Sequence, residues 1–160
     1  MAKQIRIISV GKIKEKYIAD GIAEYAKRLN AFVNLEFSEV ADESIPDNLT
    51  PTAAEKITGR EAARILALIN DTDCVYLLDL KGETLTSEAF AAKIKEEELT
   101  GRRTVFVIGG SLGVHESLIK RANHRICLSK MTFTHQIARF ILIEQIYRAY
   151  SINNGGRYHR

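Results

Sequence analysis

Two residues four positions apart, His135 and Arg139, are the clearest candidates for chemistry in this sequence. Residues with this spacing share one face of a helix, so their side chains would lie in the same neighbourhood. A histidine can take up a proton near neutral pH, and an arginine can stabilise a developing anion or bind a phosphate. The pair therefore indicates proton removal beside a negatively charged group.

The last four residues, Arg157, Tyr158, His159 and Arg160, are a second candidate group. Arginines neutralise phosphates, and a tyrosine or histidine can stack on an exposed base. His159 is the alternative proton acceptor. Residues 153–156 (Asn-Asn-Gly-Gly) predict a turn that lets this tail fold back, although a frayed, solvated end is the alternative. The tail has no evident apolar anchor, so we expect it to contribute little to folding.

The charge distribution supports a polyanionic partner. Residues 113–160 hold eight basic and two acidic residues, a net charge of +6, whereas residues 1–112 have a net charge of −3. All four histidines lie in the basic part. A basic C-terminal third on a mildly acidic body is typical of a nucleic-acid-binding face, with a chance charge gradient as the alternative.

Three short stretches follow predicted buried strands, at residues 78–82, 108–111 and 128–132. Parallel sheets bind ligands at the carboxyl ends of their strands, and Gly109 would let the backbone approach a ligand closely. The stretch GGSLG at 109–113 matches neither a dinucleotide fingerprint nor a Walker A loop. No acidic residue follows at the spacing expected for a ribose contact, which argues against a nicotinamide cofactor.

The candidate residues lie in or next to predicted strands and helices, which alternate along the chain. Strands are predicted at residues 5–10, 32–40, 74–80, 104–108 and 125–129, and helices at 13–29, 51–70, from 86 or 87 to 99, 114–123 and 135–150. Alternating strands and helices predict an α/β fold with a mainly parallel sheet and helices on both faces. We expect a single domain over residues 1–160.

The helix predicted at 135–150 is apolar around most of its circumference. Such a helix is buried, and in a short chain one side can face the core and the other a second subunit. The simplest closed assembly is a homodimer with two-fold symmetry. A central core helix within a monomer is the alternative.

Several protein classes are disfavoured. Cys74 and Cys127 are isolated in apolar runs, as expected for buried thiols in a reducing compartment. No zinc spacing or carboxylate–histidine cluster is evident, so we expect no metal. The N-terminus has no signal-peptide pattern, and no apolar run approaches the ~20 residues that span a bilayer. We therefore expect a cytoplasmic protein without a membrane partner.

The motifs taken together resemble the ribosomal RNA large subunit methyltransferase H (RlmH) family of the SPOUT, or α/β-knot, superfamily. The resemblance covers essentially the whole chain, in order. It rests on VGKIKEKY (10–17), EYAKRL (24–29), LDLKGE (78–83), FVIGGSLG (106–113), LSKMTFTHQIARFILIEQIYRAYSI (128–152) and RYHR (157–160). One departure is Thr134, where the family pattern leads us to expect proline.

The resemblance implies a methyltransferase that uses S-adenosylmethionine. Its substrate would be N3 of a pseudouridine in helix 69 of large-subunit ribosomal RNA. The family also implies a deep trefoil knot in the C-terminal half and a homodimer formed through the knot and last helix. Its cofactor loops map onto Leu78, Gly109, Leu128, Ser129, Lys130, Met131, Thr132 and Phe133. A non-catalytic ribosome-binding protein and a small-molecule methyltransferase are the alternatives.

Overall fold

Five apolar segments form a parallel sheet in the computed structural model, which describes residues 2–160. The strands are β1 (Lys3–Val10), β2 (Val33–Val40), β3 (Cys74–Thr84), β4 (Thr104–Ile108) and β5 (His124–Cys127). Their order across the sheet is β2-β1-β4-β3-β5, and every neighbouring pair is parallel. The parallel sheet predicted from the alternating pattern is confirmed. All residues of the central strand β4 are buried.

Helices cover both faces of the sheet, as predicted. They are α1 (Lys16–Leu29), α2 (Pro51–Leu66), α3 (Ser87–Glu98), α4 (Glu116–Arg121) and α5 (His135–Asn153). Buried side chains of α1, α3 and α5 pack with Phe106 on one face, and those of α2 and α4 pack with Val107 on the other. Because successive residues of a strand point to opposite faces, β4 contributes to both cores.

Threonine caps set the starts of three helices. The hydroxyl oxygens of Thr50, Thr86 and Thr134 accept hydrogen bonds from backbone amides three residues later, at 3.0–3.3 Å. These bonds satisfy amides that the first helical turn leaves unpaired. The predicted starts of α2 and α5 are therefore confirmed, and α3 uses the first of its two candidate caps. By contrast, α1 begins at residue 16 rather than 13, and α2 ends at residue 66 rather than 70.

The apolar helix α5 is covered largely by its own chain. It packs between α1 and α3, and none of its residues is exposed. Leu142, Ile143 and Ile146 are fully buried. Packing within one chain thus explains why α5 is apolar all round, and the homodimer stays a prediction. Although α5 is long and apolar, no helix within residues 2–160 has the length and apolarity needed to cross a membrane.

Strand β3 differs from its prediction because it continues past residue 80 to Thr84. Leu78 and Glu83 both pair with Ile126 of β5, so the residues between them form an excursion from the ladder. A Cβ on Gly82 would lie 2.7 Å from the carbonyl carbon of Arg125. Only glycine allows this approach, which holds the excursion against β5.

Candidate functional site

A pocket of about 890 Å³ opens beside the excursion of β3 and the carboxyl ends of β4 and β5. This volume lies within the range of about 300–1,000 Å³ that small-molecule sites occupy. Its walls come from residues 78–81 of β3, from the loops that follow β4 and β5, and from the first turns of α1 and α5. The pocket therefore lies at the sheet edge where parallel α/β proteins bind ligands.

Seven of the eight sequence-predicted cofactor residues line this pocket. They are Leu78, Gly109, Leu128, Ser129, Met131, Thr132 and Phe133. The eighth, Lys130, is exposed and is not part of the wall. Three segments that are distant in sequence thus converge on one cavity.

Two local hydrogen bonds shape the loop at residues 128–133. The Ser129 hydroxyl accepts from the Met131 amide at 3.0 Å, and the Cys127 thiol donates to the Ser129 carbonyl at 3.0 Å. Met131 and Phe133 are left 76% and 36% exposed. Together with the exposed Tyr17 and Leu80, they form an apolar rim on the pocket, and exposed apolar surface of this kind marks binding sites.

The glycine loop on the opposite wall is tightly folded. A Cβ on Gly109 would lie 2.9 Å from the carbonyl oxygen of Gly113. Gly110 and Gly113 form an isolated bridge, and Gly113 has a φ of +90°, which favours glycine. Gly109 is therefore needed for the loop to close on itself, in addition to any approach to a ligand.

His135, the first residue of α5, lies in the pocket wall. Burial lowers the pKa of its imidazole below 6.5, and Arg139 and Lys14 lower it further, against an opposing effect of Asp42. The imidazole is consequently neutral near pH 7. A neutral imidazole can accept a proton from a group in the pocket.

A buried carboxylate behind the glycine loop escaped the sequence analysis. Glu61 of α2 is only 6% exposed, and its Oε2 accepts from the Glu43 amide at 3.1 Å. Its Oε1 would lie 2.9 Å from a Cβ on Gly110, and burial raises the pKa of its carboxyl group. A cavity of about 50 Å³ is lined by both Glu61 and His135. A lone glutamate in an amphipathic helix carries no sequence signal for such a position.

Arg139 shares the helix face of His135 but has a different environment. Its guanidinium donates to the carbonyl oxygens of Val10 and Gly11 at 2.6 and 2.7 Å, and to Glu39 Oε2 at 2.8 Å. The residue is 6% exposed and does not line the pocket. In this geometry Arg139 ties α5 to the ends of β1 and β2.

The C-terminal tail folds back onto the body, at the far end of α5. The Tyr158 hydroxyl lies 2.7 Å from the Tyr25 hydroxyl and donates to Glu144 Oε1 at 2.9 Å. Its ring packs edge-on against Tyr147 with centroids 4.9 Å apart. The expectation of a tail without an apolar anchor is wrong, because Tyr158 is that anchor.

His159 is also held at this end. Its Nε2 lies 2.8 Å from Glu88 Oε1, and its Nδ1 lies 3.1 Å from Arg148 Nη1. Arg148 follows His135 by thirteen residues in the same helix, which is about 20 Å at 1.5 Å per residue. The tail and the pocket of one chain are therefore at opposite ends of α5. Arg157 and Arg160 are exposed.

The fold and the pocket define an α/β protein with an open cavity at the carboxyl edge of a parallel sheet. A family model described as "Predicted SPOUT methyltransferase" matches residues 3–159. Two relatives, from Carboxydothermus hydrogenoformans and Ruminiclostridium cellulolyticum, are each named ribosomal RNA large subunit methyltransferase H. Each is 48% identical over 98% of this chain and 99% of its own length.

The chain therefore belongs to the SPOUT methyltransferases, in the family of ribosomal RNA large subunit methyltransferase H. The resemblance found in the sequence motifs is confirmed. A crystal structure described as a probable rRNA-methyltransferase from Porphyromonas gingivalis is similar in fold, with a TM-score of 0.52 and 9% identity. The match covers 95% of this chain and 70% of that one.

Proposed function

We propose that this protein transfers a methyl group from S-adenosylmethionine to N3 of a pseudouridine in helix 69 of large-subunit ribosomal RNA. The observation that carries the proposal is the convergence of Leu78, Gly109 and the loop at residues 128–133 on one pocket. The names of relatives 48% identical to this chain supply the ribosomal RNA substrate class. The basic C-terminal third supports a polyanionic substrate.

The pocket residues fit this cofactor. Ile108, Leu128 and Ile137 provide apolar wall for an adenine ring, while the ends of the strands offer backbone groups for its polar edge. The tight turn at Gly109, where a Cβ would meet the Gly113 carbonyl, keeps side-chain atoms out of that wall. S-adenosylmethionine would supply an electrophilic methyl group on a sulfonium sulfur.

His135 is our candidate for the proton acceptor. The N3–H of a pseudouridine is a weak acid, and its nitrogen becomes a strong nucleophile when the proton leaves. The neutral imidazole of His135 takes this proton, and bound S-adenosylmethionine would supply the methyl group to N3. Arg139 contributes by fixing the first turns of α5 to β1 and β2, so that the imidazole is held in place.

We further propose that the active site forms across a homodimer. Because His135 and His159 lie at opposite ends of α5, a tail that takes part in the reaction must come from a second chain. Arg157, Tyr158, His159 and Arg160 of one protomer would then contact the RNA beside the pocket of its partner. The apolar rim of Tyr17, Leu80, Met131 and Phe133 supplies surface for such a partner to cover.

The remaining family properties complete the proposal. The C-terminal half would be threaded as a deep trefoil knot, and the enzyme would act in the cytoplasm, where ribosomes are assembled. These properties rest on family membership. The reaction and the assembly can be tested separately.

The reaction is tested with purified protein, labelled S-adenosylmethionine and large subunits from cells lacking this enzyme. We expect one methyl group per subunit, and mass spectrometry of nuclease fragments should place it on a pseudouridine of helix 69. Subunits from wild-type cells are the matched control and should accept little label. Absence of transfer, or a methyl group on another nucleotide, would overturn the proposed substrate.

The composite site is tested with mixed dimers. One chain lacks residues 157–160, and the other carries Gly109→Val in the pocket. We expect each homodimer to be inactive and the mixture to regain activity, because one site then combines an intact tail with an intact pocket. Sites formed within one chain predict no recovery.

A further inference from the structure

Three metal-ligating side chains meet at the edge of the sheet opposite the methyl-transfer pocket. They are Cys74, the first residue of β3, His124, the first residue of β5, and Glu97, in the last turn of α3. One ligand atom from each lies within 4.8 Å of the others. The imidazole Nε2 and Glu97 Oε1 are 3.6 Å apart. This cluster is separate from every residue assigned to the reaction above.

The structure holds each of these side chains in place. The His124 ring stacks on Tyr76, with centroids 4.4 Å apart and an interplanar angle of 24°. The Cys74 amide donates to the Arg103 carbonyl at 2.9 Å, which fixes the start of β3. Arg102 donates to Glu97 Oε2 at 3.3 Å, so Oε1 is left on the side of the imidazole. The imidazole and the carboxylate are therefore oriented by side-chain contacts, and the thiol is carried by a backbone that strand pairing holds in place.

One oxygen of Glu97 has no lysine or arginine partner among residues 2–160. The Lys3 ammonium donates to the backbone carbonyls of Glu97 and Arg102, and it makes no ion pair with a carboxylate among residues 2–160. The Glu97 carboxylate thus has one guanidinium partner, on a single oxygen. A thiolate and a carboxylate together carry two negative charges, which match those of a divalent cation.

A further polar group next to the cluster has no partner. Thr104 of β4 is paired in register with Cys74, so the two side chains point to the same face of the sheet. Thr104 is 1% exposed, and its Oγ1 has no hydrogen-bond partner in the described chain. Buried hydroxyls are nearly always hydrogen-bonded, so this unpaired hydroxyl, on the same face of the sheet as Cys74, favours a further polar group at the cluster.

We propose that Cys74, Glu97 and His124 form a structural zinc site. Sulfur, imidazole nitrogen and carboxylate oxygen are the donors that Zn²⁺ takes, and in tetrahedral geometry they lie about 3.2–3.7 Å apart. His124 is about one-third exposed, so a water molecule can reach the fourth position. The thiol proton leaves to solvent when the metal binds.

The place of the site in the fold explains what zinc would do. β5 is a four-residue strand at the edge of the sheet, held by one neighbour only. A metal bound to its first residue would join it to β3 and α3. The loop at residues 128–133 follows β5 directly, so the metal would stabilise the strand that supports the pocket without taking part in the reaction.

The site is tested on the untagged protein, stripped with a chelator and titrated with Zn²⁺ against a chromophoric competitor. We expect one Zn²⁺ per chain and a higher Tm of the zinc-loaded protein. Co²⁺ should give a thiolate-to-metal charge-transfer band. Cys74→Ser should abolish that band, whereas Cys127→Ser, which removes the other buried thiol, should keep it. His124→Gln and Glu97→Gln should each weaken Zn²⁺ binding by more than about tenfold. Loss of a group that only hydrogen-bonds to a metal ligand already weakens binding about 10- to 100-fold, and loss of a ligand should cost at least as much.

Circular dichroism of each variant shows whether it is folded, and Glu97→Gln preserves the shape of the side chain if Cys74→Ser does not fold. Absence of stoichiometric binding, or equal binding by the wild-type protein and Glu97→Gln, would overturn the proposal. Metal-stripped protein should still transfer methyl groups at temperatures below its own Tm, where it is folded. Loss of transfer on stripping would show that the metal is not merely structural and would also overturn it.

Discussion

The two ends of α5 have similar residue types in different environments: an open pocket at the first end, and a set of hydrogen-bonded side chains at the last. At the N-terminal end, His135 lies in an open pocket bordered by Met131 and Phe133, which are exposed. At the C-terminal end, His159 is held between Glu88 and Arg148, and Tyr158 is hydrogen-bonded twice. Each end carries a histidine, an arginine nearby and aromatic side chains.

The difference indicates which end is ready to bind. Side chains that already have partners must break those contacts before they can bind anything else, whereas open pocket walls need only lose water. Within one chain we therefore expect binding at the pocket, whereas the tail is part of the folded body. The tail can contact RNA in two ways. Either it lies near the pocket of a second chain in a dimer, or the RNA binds to the outer surface of the tail while the tail stays packed on its own chain.

The largest effect should follow removal of the proposed base. His135→Ala should lower the rate of methyl transfer by about 10²–10⁴-fold, the usual contribution of a positioned general base. Cofactor affinity, measured by calorimetry, should change little. Gln136→Ala, one residue along in the same pocket wall, is the matched control and should retain most of the rate. If His135→Ala remains nearly as active as Gln136→Ala, the base lies elsewhere.

The glycine loop should be the next most sensitive position. Gly109→Ala places a Cβ 2.9 Å from the Gly113 carbonyl, and relieving such a contact costs ~1–3 kcal/mol. We expect S-adenosylmethionine to bind about 10- to 100-fold more weakly. The control is Gly59→Ala in α2, where a Cβ would make an ordinary contact at 3.5 Å with His115. Equal affinities in the two variants would separate the loop from the cofactor site.

The pH dependence of stability and of activity should be set by His135, at the pocket end of α5. The pKa of His135 is lowered on folding, so the unfolded chain binds its proton more tightly. The stabilisation by the neutral imidazole is complete above the unfolded pKa of about 6.5 and is lost as pH falls from there through the folded pKa. Activity should fall about tenfold per pH unit below the folded pKa, as the base becomes protonated.

His135→Gln removes this titration and serves as the comparison for stability. The Tm of the wild-type protein should decline more steeply than that of His135→Gln as pH is lowered through this window. Parallel Tm curves for the two proteins would assign the dependence to groups other than His135.

The smallest effect is expected at the tail. Tyr158→Phe removes the hydroxyl that bonds Tyr25 and donates to the Glu144 carboxylate, and a hydrogen bond to a charged group contributes about 1.5–3 kcal/mol to the free energy of unfolding. Glu144 keeps its ion pair with Arg148 at 2.6 Å, which limits the loss. Urea denaturation measures the change, with Tyr17→Phe as the control because Tyr17 is 67% exposed. A tail that is undocked in solution would make the two variants equally stable.

Much of the fold could be predicted from local patterns. The apolar runs at β4 and β3, the threonine before Pro51 and the alternation of elements each act over a few residues, so they are visible in the sequence. The family motifs also predicted eight cofactor-binding residues, and seven of them line one pocket. The end of β3 was missed because the excursion through Gly82 depends on its contact with β5, which no local pattern encodes.

Roles that depend on distant partners were decided only by tertiary structure. Spacing alone placed His135 and Arg139 on one helix face. In the packed structure, His135 lines the pocket, whereas Arg139 donates to the backbone carbonyls of Val10 and Gly11. The tail could be recognised as a turn followed by polar residues, but its anchoring depends on Tyr25, 133 positions away.

The same holds for the proposed zinc ligands, which come from three elements and share no sequence spacing. Periodicity and capping act between near neighbours, and for that reason a single sequence determines which elements form. The partners of a buried guanidinium, hydroxyl or thiol are chosen by how those elements pack, because an unpaired polar group in the interior is costly and must find whatever group the fold brings to it.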